Sequence, residues 1–260
     1  MQCATPDLSG RLDTNGDTLR LARRAAVETI LLDKVHDAEV HNGLTNQDAG
    51  RLREMLLRYA DVFREDVEGD PPVKVEPIKV RLKPGSVPVK CSMRRYPPAH
   101  MDFLKRHVEQ LERAGLVYKN NRATWASAPR IVPKKDPGDL RMTIDSQPIN
   151  ACTEPMSWPM PNLDSAMTIL VGTTVYFTLN WTKGYWQLPL HPDSQMYYSF
   201  MTPWGVYTPT RVLMGQTDAV AYCQSVVHEL FGDLLFRRLL AWLDDLLGAA
   251  ATPGELFDLL

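Results

Sequence analysis

Apolar positions recur along this chain at two periods, and those periods mark out its elements. Between residues 19 and 35, Leu21, Ala25, Val27, Ile30 and Leu31 have helical spacing. Residues 45–64 repeat the pattern, with Leu52, Leu56, Leu57, Tyr59, Val62 and Phe63 as the stripe and Thr45 as an N-cap. From Val67 to Pro98 the chain carries Pro71-Pro72, Pro77, Pro84, Pro88 and Pro97-Pro98 among alternating Val, Lys and Arg, which predicts an extended segment. Residues 99–116 form the clearest helix. Met101, Leu104, Val108 and Leu111 make its stripe, Lys105, Arg106 and Arg113 its other face, and Gly115 its end.

Trp125–Val132 and Leu140–Ile144 read as strands joined by the charged turn 134–139. Val175–Leu179 is a β-branched and aromatic run, and Tyr197–Met201 and Val206–Val212 flank Thr202-Pro203-Trp204-Gly205 as a hairpin. Residues 217–235 predict a helix capped by Thr217 or Asp218, with Ala221, Val226, Val227, Leu230 and Leu234 toward the core. A last hairpin, Leu239–Leu243 and Leu246–Ala250, has a turn that lifts both Asp244 and Asp245 out of the strand pair. No internal repeat or low-complexity tract interrupts this order.

The chain has 260 residues and 44% hydrophobic content, enough for a substantial core. No stretch approaches the ~18 apolar residues of a membrane span. The N-terminus has no charged segment followed by an apolar one, so no secretory signal is read. The four cysteines, Cys3, Cys91, Cys152 and Cys223, lack metal-ligand spacing and read as reduced thiols. These features predict an intracellular protein, of cytoplasm or nucleus, with no membrane partner.

Net charge is −2, but its distribution is uneven. Residues 1–80 carry 11 basic and 15 acidic side chains, 81–141 carry 14 and 5, and 142–260 carry 4 and 11. A block of net +9 suits phosphate backbone, and the acidic block beyond it suits metal. Taken alone, the basic block reads more readily as a solvated face.

Asp244 and Asp245 sit between Leu239-Leu240-Ala241-Trp242-Leu243 and Leu246-Leu247. Ionised groups among apolar neighbours are costly unless compensated, and a divalent cation is one compensation. Successive strand residues point to opposite faces, so the two carboxylates have different tasks. A solvated acidic turn is the other reading of the pair alone. Asp13-Thr-Asn-Gly-Asp17 fails as a calcium loop, because Thr18 stands where glycine is needed and Arg24 where the last glutamate is needed. It fails as an aspartic-protease motif because Asn15 interrupts Asp-Thr-Gly. Asn180-Trp181-Thr182 spells a glycosylation sequon, which has no meaning without a signal peptide.

Four further stretches change the picture. They are Trp125-Ala-Ser-Ala-Pro-Arg-Ile-Val-Pro-Lys-Lys-Asp136 with Leu140-Arg-Met-Thr-Ile-Asp-Ser-Gln-Pro-Ile-Asn150, Tyr176-Phe-Thr-Leu-Asn-Trp-Thr-Lys-Gly-Tyr-Trp-Gln187, Arg211-Val-Leu-Met-Gly-Gln-Thr-Asp-Ala-Val-Ala-Tyr-Cys-Gln224, and Trp242-Leu-Asp-Asp245. In order and spacing they resemble the reverse transcriptase of gypsy-type LTR retrotransposons, over roughly residues 75–255. The resemblance implies an α+β fold of fingers and palm, with an antiparallel palm sheet backed by helices. It implies a helical leader over 1–75, fingers and palm over 76–255 and a short tail over 256–260.

It also implies RNA-directed DNA polymerase activity: addition of deoxynucleotides to a primer on an RNA or DNA template. Two magnesium ions, or manganese in their place, would be held by three carboxylates. Asp244 and Asp245 match two of these, with Asp244 the more direct ligand. Tyr185 matches the aromatic beside the incoming sugar, and Gly215 and Gln216 match the loop under the base. Arg141, aided by Lys134 or Lys135, matches the fingers cations on the triphosphate of the deoxynucleotide. Lys183 and Arg211 lie near the motifs without an assigned role.

The chain departs from the family in three places. Asn180 stands at the third carboxylate position, where an amide keeps an acceptor oxygen but loses the charge. Gln147 stands where the family has an arginine. Leu260 comes one helix-like stretch after the Asp pair, whereas the family continues through a thumb, a connection and an RNase H domain. The expectation is a fingers-and-palm fragment with little or no polymerase activity. The alternatives are a nucleic-acid-binding remnant that uses its basic block without chemistry, and a decayed retroelement fragment with uncovered apolar surface.

Overall fold

The computed structural model describes residues 14–64, 69–135 and 138–260. Cys3, Asp13, Val67 and the centre of the 134–139 turn (Asp136, Pro137) lie outside the described residues. The chain forms two compact units, 1–65 and 66–260. No helix among the described residues is long and apolar enough to cross a membrane.

The first unit pairs α1 (Thr14–His41) with α2 (Asn46–Arg58) around Leu31, Val35, Ala49 and Ala60. Thr45 caps α2 as its sequence predicts, its Oγ1 accepting the Asp48 N–H at 3.2 Å. Tyr59 and Val62, expected on the apolar stripe, are exposed, Val62 by 70%. The helix stops at Arg58 and continues as a 3₁₀ turn over Ala60–Val62, whose tighter winding carries the stripe off the buried face.

In the second unit, residues 69–97 contain no helix and no strand ladder; they bend at 74–75, turn at Pro84-Gly85, and join the body by the single bridges Ile78↔Leu190, Leu82↔Thr153 and Lys90↔Ala126. Then comes α3 (Pro98–Arg113), which buries Leu104, Val108 and Leu111 and exposes Lys105, Arg106 and Arg113. It ends in a Schellman motif. Gly115 takes φ 68°, the Leu116 N–H donates to Leu111 O, and the Gly115 N–H donates to Glu112 O.

Among the described residues eight short strands follow: β1 (Val117–Lys119), β2 (Pro129–Pro133), β3 (Leu140–Ile144), β4 (Val175–Asn180), β5 (Phe200–Thr202), β6 (Gly205–Pro209), β7 (Leu239–Trp242) and β8 (Asp245–Ala250). They pair antiparallel as β1-β6-β5, β2-β3 and β4-β8-β7. Between them lie α4 (Gln147–Cys152), α5 (Leu163–Ala166), α6 (Pro192–Gln195) and α7 (Ala219–Phe231), with α8 (Pro253–Leu259) last. This is the α+β class expected.

Several strands are shorter than the apolar runs that predict them. β2 starts only at Pro129, because Ala126 and Ser127 bridge instead to Lys90 and Phe200. Tyr197 belongs to a 3₁₀ turn before β5, and β6 ends at Pro209, leaving Arg211 to bridge Pro189. In α7, Tyr222, Cys223, Val226 and Val227 are buried, but Leu230, expected in the core, is exposed, and Leu234, expected in the same helix, lies beyond its end at Phe231 and is exposed too. The stripe runs on past the end of the packed layer. Asp218 stands at the N-cap of α7 without capping it, and its Oδ1 accepts the Met156 N–H at 2.7 Å. Residues 256–260, expected as a tail, fall largely within α8 and bury Phe257. Thr252 caps its start, its Oγ1 accepting the Glu255 N–H at 3.3 Å, and the Glu255 carboxylate accepts the N–H of Ala251, one residue before the cap, at 3.2 Å.

The sheet β4-β8-β7 has one apolar face. Leu179, Leu246 and Ala241 lie in one cross-strand row, and Phe177, Gly248 and Leu239 in the next. Together with Val227, Leu235 and Phe231 they form a core between sheet and α7. Gly248 is required there, because the Phe177 ring occupies the space a Cβ would fill. Gly248→Ala is expected to cost about 1–3 kcal/mol through overpacking, read as a lower urea midpoint. Gly50→Ala on the open side of α2 should leave the midpoint level or raise it. An unchanged midpoint for Gly248→Ala would contradict this packing.

Candidate active site

The opposite face of β4-β8-β7, which also carries the buried Leu240 and Ala249, has one polar row at its end. Asn180 of β4 is the register partner of Asp245, and Asp245 in turn pairs with Trp242. Because directly opposed residues share a face, all three side chains project to the same side, and all are exposed. The Asn180 Nδ2 donates to Asp245 Oδ1 at 2.8 Å.

The turn between β7 and β8 is Leu243-Asp244, so only Asp244 is lifted out of the strands; Asp245 is the first residue of β8. The expected two-residue turn Asp244-Asp245 is thus shifted by one position, to Leu243-Asp244, since Trp242 of β7 and Asn180 of β4 both pair with Asp245. Leu243 takes φ 57°, a left-handed conformation that a bulky side chain adopts only where the surroundings hold it. Asp244 is half-buried, and its carbonyl accepts the Trp181 N–H at 2.8 Å. Gly184 packs against it closely enough that a Cβ would stand 3.2 Å from the Asp244 Cβ. The segment after β4 is therefore folded onto the aspartate turn, through a second left-handed residue, Lys183 at φ 49°.

Tyr185 follows in this segment and is half-buried. Burial pushes its hydroxyl pKa up, and negative charge at Cys223 and Asp244 adds to the effect. Burial likewise pushes the Cys223 thiol up to about 11, with Asp244 contributing. The structure thus brings Tyr185, Cys223 of α7 and Asp244 into one electrostatic neighbourhood. Gly215 takes φ 93° in an exposed turn with open space around it. Gln216 beside it is buried, and its Nε2 has no hydrogen-bond partner among the described residues.

The fingers cations stand apart from this group, on the two-stranded sheet β2-β3. Arg130↔Thr143 and Val132↔Arg141 are successive same-face pairs, so Arg130 and Arg141 share the exposed side while Ile131 and Met142 pack on the core. Lys134 is engaged with Asp139 at 3.1 Å, whereas Lys135 is exposed. Gln147 is exposed at the start of α4, and the nearby Asp145 pairs with Arg94 at 2.6 Å. Arg211 is half-buried and donates to Asp70 O at 3.3 Å.

Two amide side chains that the sequence reading passed over also belong to the site. Asn150 of α4 hydrogen-bonds the 215–217 turn, and the fully buried Gln224 of α7 hydrogen-bonds the aspartate hairpin. Each ends one of the quoted motif stretches, which was the available signal.

Magnesium takes oxygen ligands and one or two carboxylates per ion. Asp244 and Asp245 fit one such ion, completed by water and phosphate. They do not fit a pair of ions, because Asn180 turns an N–H toward Asp245 rather than supplying a third anionic oxygen. Among the described residues no group of three or more His, Cys, Asp or Glu side chains converges.

With this geometry in view, the likenesses to known proteins have a clear form. Residues 132–260 match the family profile described as reverse transcriptase (RNA-dependent DNA polymerase). The transposon Tf2-3 polyprotein of Schizosaccharomyces pombe is 22% identical over 206 residues, which is 78% of this chain and 15% of the polyprotein. The Tf2-7 polyprotein of the same yeast is 21% identical over the same length. The chain therefore spans about 15% of the length of the curated relatives it matches. Among solved structures, the foamy viral protease–reverse transcriptase in complex with RNA/DNA hybrid superposes with TM-score 0.74 at 18% identity, covering 98% of this chain and 32% of that one. The same viral protein in complex with dsDNA gives TM-score 0.72 at 19% identity, covering 98% and 49%.

The raised Cys223 pKa has two consequences. At pH 8 iodoacetamide is expected to label Cys91 and Cys152 well before Cys223 in the folded chain. The folded state also holds the Cys223 proton above the ordinary thiol value of 9.0, up to about 11. Its contribution to stability is therefore complete below pH 9 and is lost as pH rises from 9 toward 11. Labelling of Cys223 at the rate of the other two would contradict the burial.

Proposed function

We propose, from the reverse transcriptase (RNA-dependent DNA polymerase) profile that residues 132–260 match and from the reverse-transcriptase-like fold, that this chain is the nucleotide-joining module of a retrotransposon enzyme of gypsy type, silenced or nearly so at one residue. Its partners are an RNA or DNA template-primer and deoxynucleoside triphosphates.

The residues have separable tasks in this reading. Asp244 and Asp245 hold magnesium, which when bound makes the primer hydroxyl a better nucleophile and offsets triphosphate charge. Tyr185, half-buried beside Asp244, bounds the space for the incoming sugar. The turn at Gly215 and Gln216 lets backbone approach the base. Arg141, exposed on β3, and Lys135 are the cations free to meet phosphate, Lys134 being held by Asp139.

The observation that carries the reading of a silenced site is the 2.8 Å hydrogen bond from Asn180 to Asp245. An aspartate at 180 would put a third carboxylate on the same face. The asparagine instead occupies one of the Asp245 oxygens and adds no charge. A second reading, nucleic-acid binding without chemistry, is favoured by Arg130 and Arg141 sharing the exposed face of β2-β3.

Primer extension with magnesium tests the first reading, comparing the chain as given with Asn180→Asp. Loss of one anionic ligand removes several kcal/mol of transition-state stabilisation, so Asn180→Asp should extend at least about a hundredfold faster. Extension by the unmodified chain at the rate of Asn180→Asp would sink the proposal. Binding to a primer-template duplex tests the second reading. Affinity should fall steeply with salt, and Arg130→Gln should lower the log–log slope by about one. A salt-independent affinity would exclude it.

A further inference from the structure

Two turns of the site are each held from behind by one side-chain amide, and the two holds have the same pattern. Asn150 Nδ2 donates to Gly215 O at 2.8 Å, and its Oδ1 accepts the Thr217 N–H at 3.1 Å. Gln224 Nε2 donates to Ala241 O at 3.4 Å, and its Oε1 accepts the Leu243 N–H at 3.3 Å. In both, the amide takes the carbonyl of one residue and the N–H of the residue two further on. That is how a neighbouring strand would grip the chain. Exchanging nitrogen and oxygen in either amide would set donor against donor and acceptor against acceptor, so each orientation is determined by its partners.

What is gripped also differs from an ordinary loop. The segment held by Gln224 ends at Leu243, the left-handed residue immediately before Asp244. The segment held by Asn150 begins at Gly215, at φ 93°, and encloses Gln216. Gln224 is fully buried, and truncating it would leave the Leu243 N–H without that partner in a dry environment. Neither amide comes from the turn it holds. Asn150 comes from α4 and Gln224 from α7, so each ties a mobile kind of element to a rigid one.

We propose that Asn150 and Gln224 are positioning residues with divided tasks: Gln224 sets the place of the metal-binding aspartates, and Asn150 sets the loop under the nucleotide base. This rests on the polymerase reading and assigns two residues to it. Groups that orient metal ligands from behind are typically worth about 10–100-fold in activity. Misplacement of a binding loop by one ångström is of similar size.

The division makes the test sharp. In the Asn180→Asp chain, Gln224→Met keeps length and removes both hydrogen bonds. It should lower kcat about 10–100-fold while the nucleotide KM stays nearly level. Asn150→Leu should do the reverse, raising the nucleotide KM roughly tenfold with a smaller change in kcat. A purely structural role would lower active fraction and melting temperature together and leave KM alone in both variants, and that result would overturn the proposal. Amide hydrogen exchange in the chain as given needs no activity. Gln224→Met should speed exchange in 239–244 and not in 213–218, and Asn150→Leu the opposite. Unchanged or uniformly faster exchange would also overturn it. If Asn180→Asp fails to extend primers, the polymerase reading fails, and the exchange pattern still decides whether the two holds exist.

Discussion

The site depends on the antiparallel pairing of β4 with β8. That pairing sets Asn180 opposite Asp245 and Phe177 opposite Gly248. A slip of one residue would turn the apolar row Leu179–Leu246–Ala241 out to solvent and the polar row into the core. Gly248 makes the slip harder, since the Phe177 ring fits only where no Cβ intrudes. The same packing that seals the sheet against α7 therefore decides which side chains meet at its end. The position of an exposed amide and carboxylate is settled by a half-buried aromatic and a glycine several residues away.

Around that row the backbone is held in unusual shapes. Lys183 and Leu243 both take left-handed φ without being glycine, and they flank the Asn180–Asp244–Asp245 group. Such conformations persist only where neighbouring contacts over-determine them. Here the contacts are the Trp181 N–H on the Asp244 carbonyl, the close approach of Gly184, and the Gln224 amide on Leu243. One effect is that Asp244 stands half-buried beside Tyr185 and Cys223, whose protons it helps to retain. A carboxylate in such surroundings gains more from a cation than one in open water.

Charge is divided between the parts of the second unit in the same sense. Basic groups lie on α3 and on the outer face of β2-β3, while the aspartates end the other sheet. Some of the basic groups are already neutralised locally: Lys134 by Asp139, Arg94 by Asp145. The net charge of a block thus overstates what it offers a phosphate backbone, and Arg130 and Arg141, which share one exposed face, offer the most.

The amphipathic helix α3 and its glycine stop could be read directly, because stripe and cap are local properties of 16 successive residues. So could the α+β class, the hairpin before the aspartates and the motif stretches that carry Asn180, Tyr185, Gly215 and Gln216. Periodicity alone overran the ends of elements, as at Val62, Leu230 and Leu234, because a stripe says which face is apolar and not how far the covering layer extends. Nor could a linear reading separate the two aspartates. Both look like turn residues until β4 claims Asp245 as a strand partner, and that contact spans 65 positions of chain. The holds by Asn150 and Gln224 are long-range hydrogen bonds of the same kind. By itself the sequence determined which residue types are available and the local elements they form; only the tertiary structure decided which of them meet, because register and burial are properties of segments far apart in the chain.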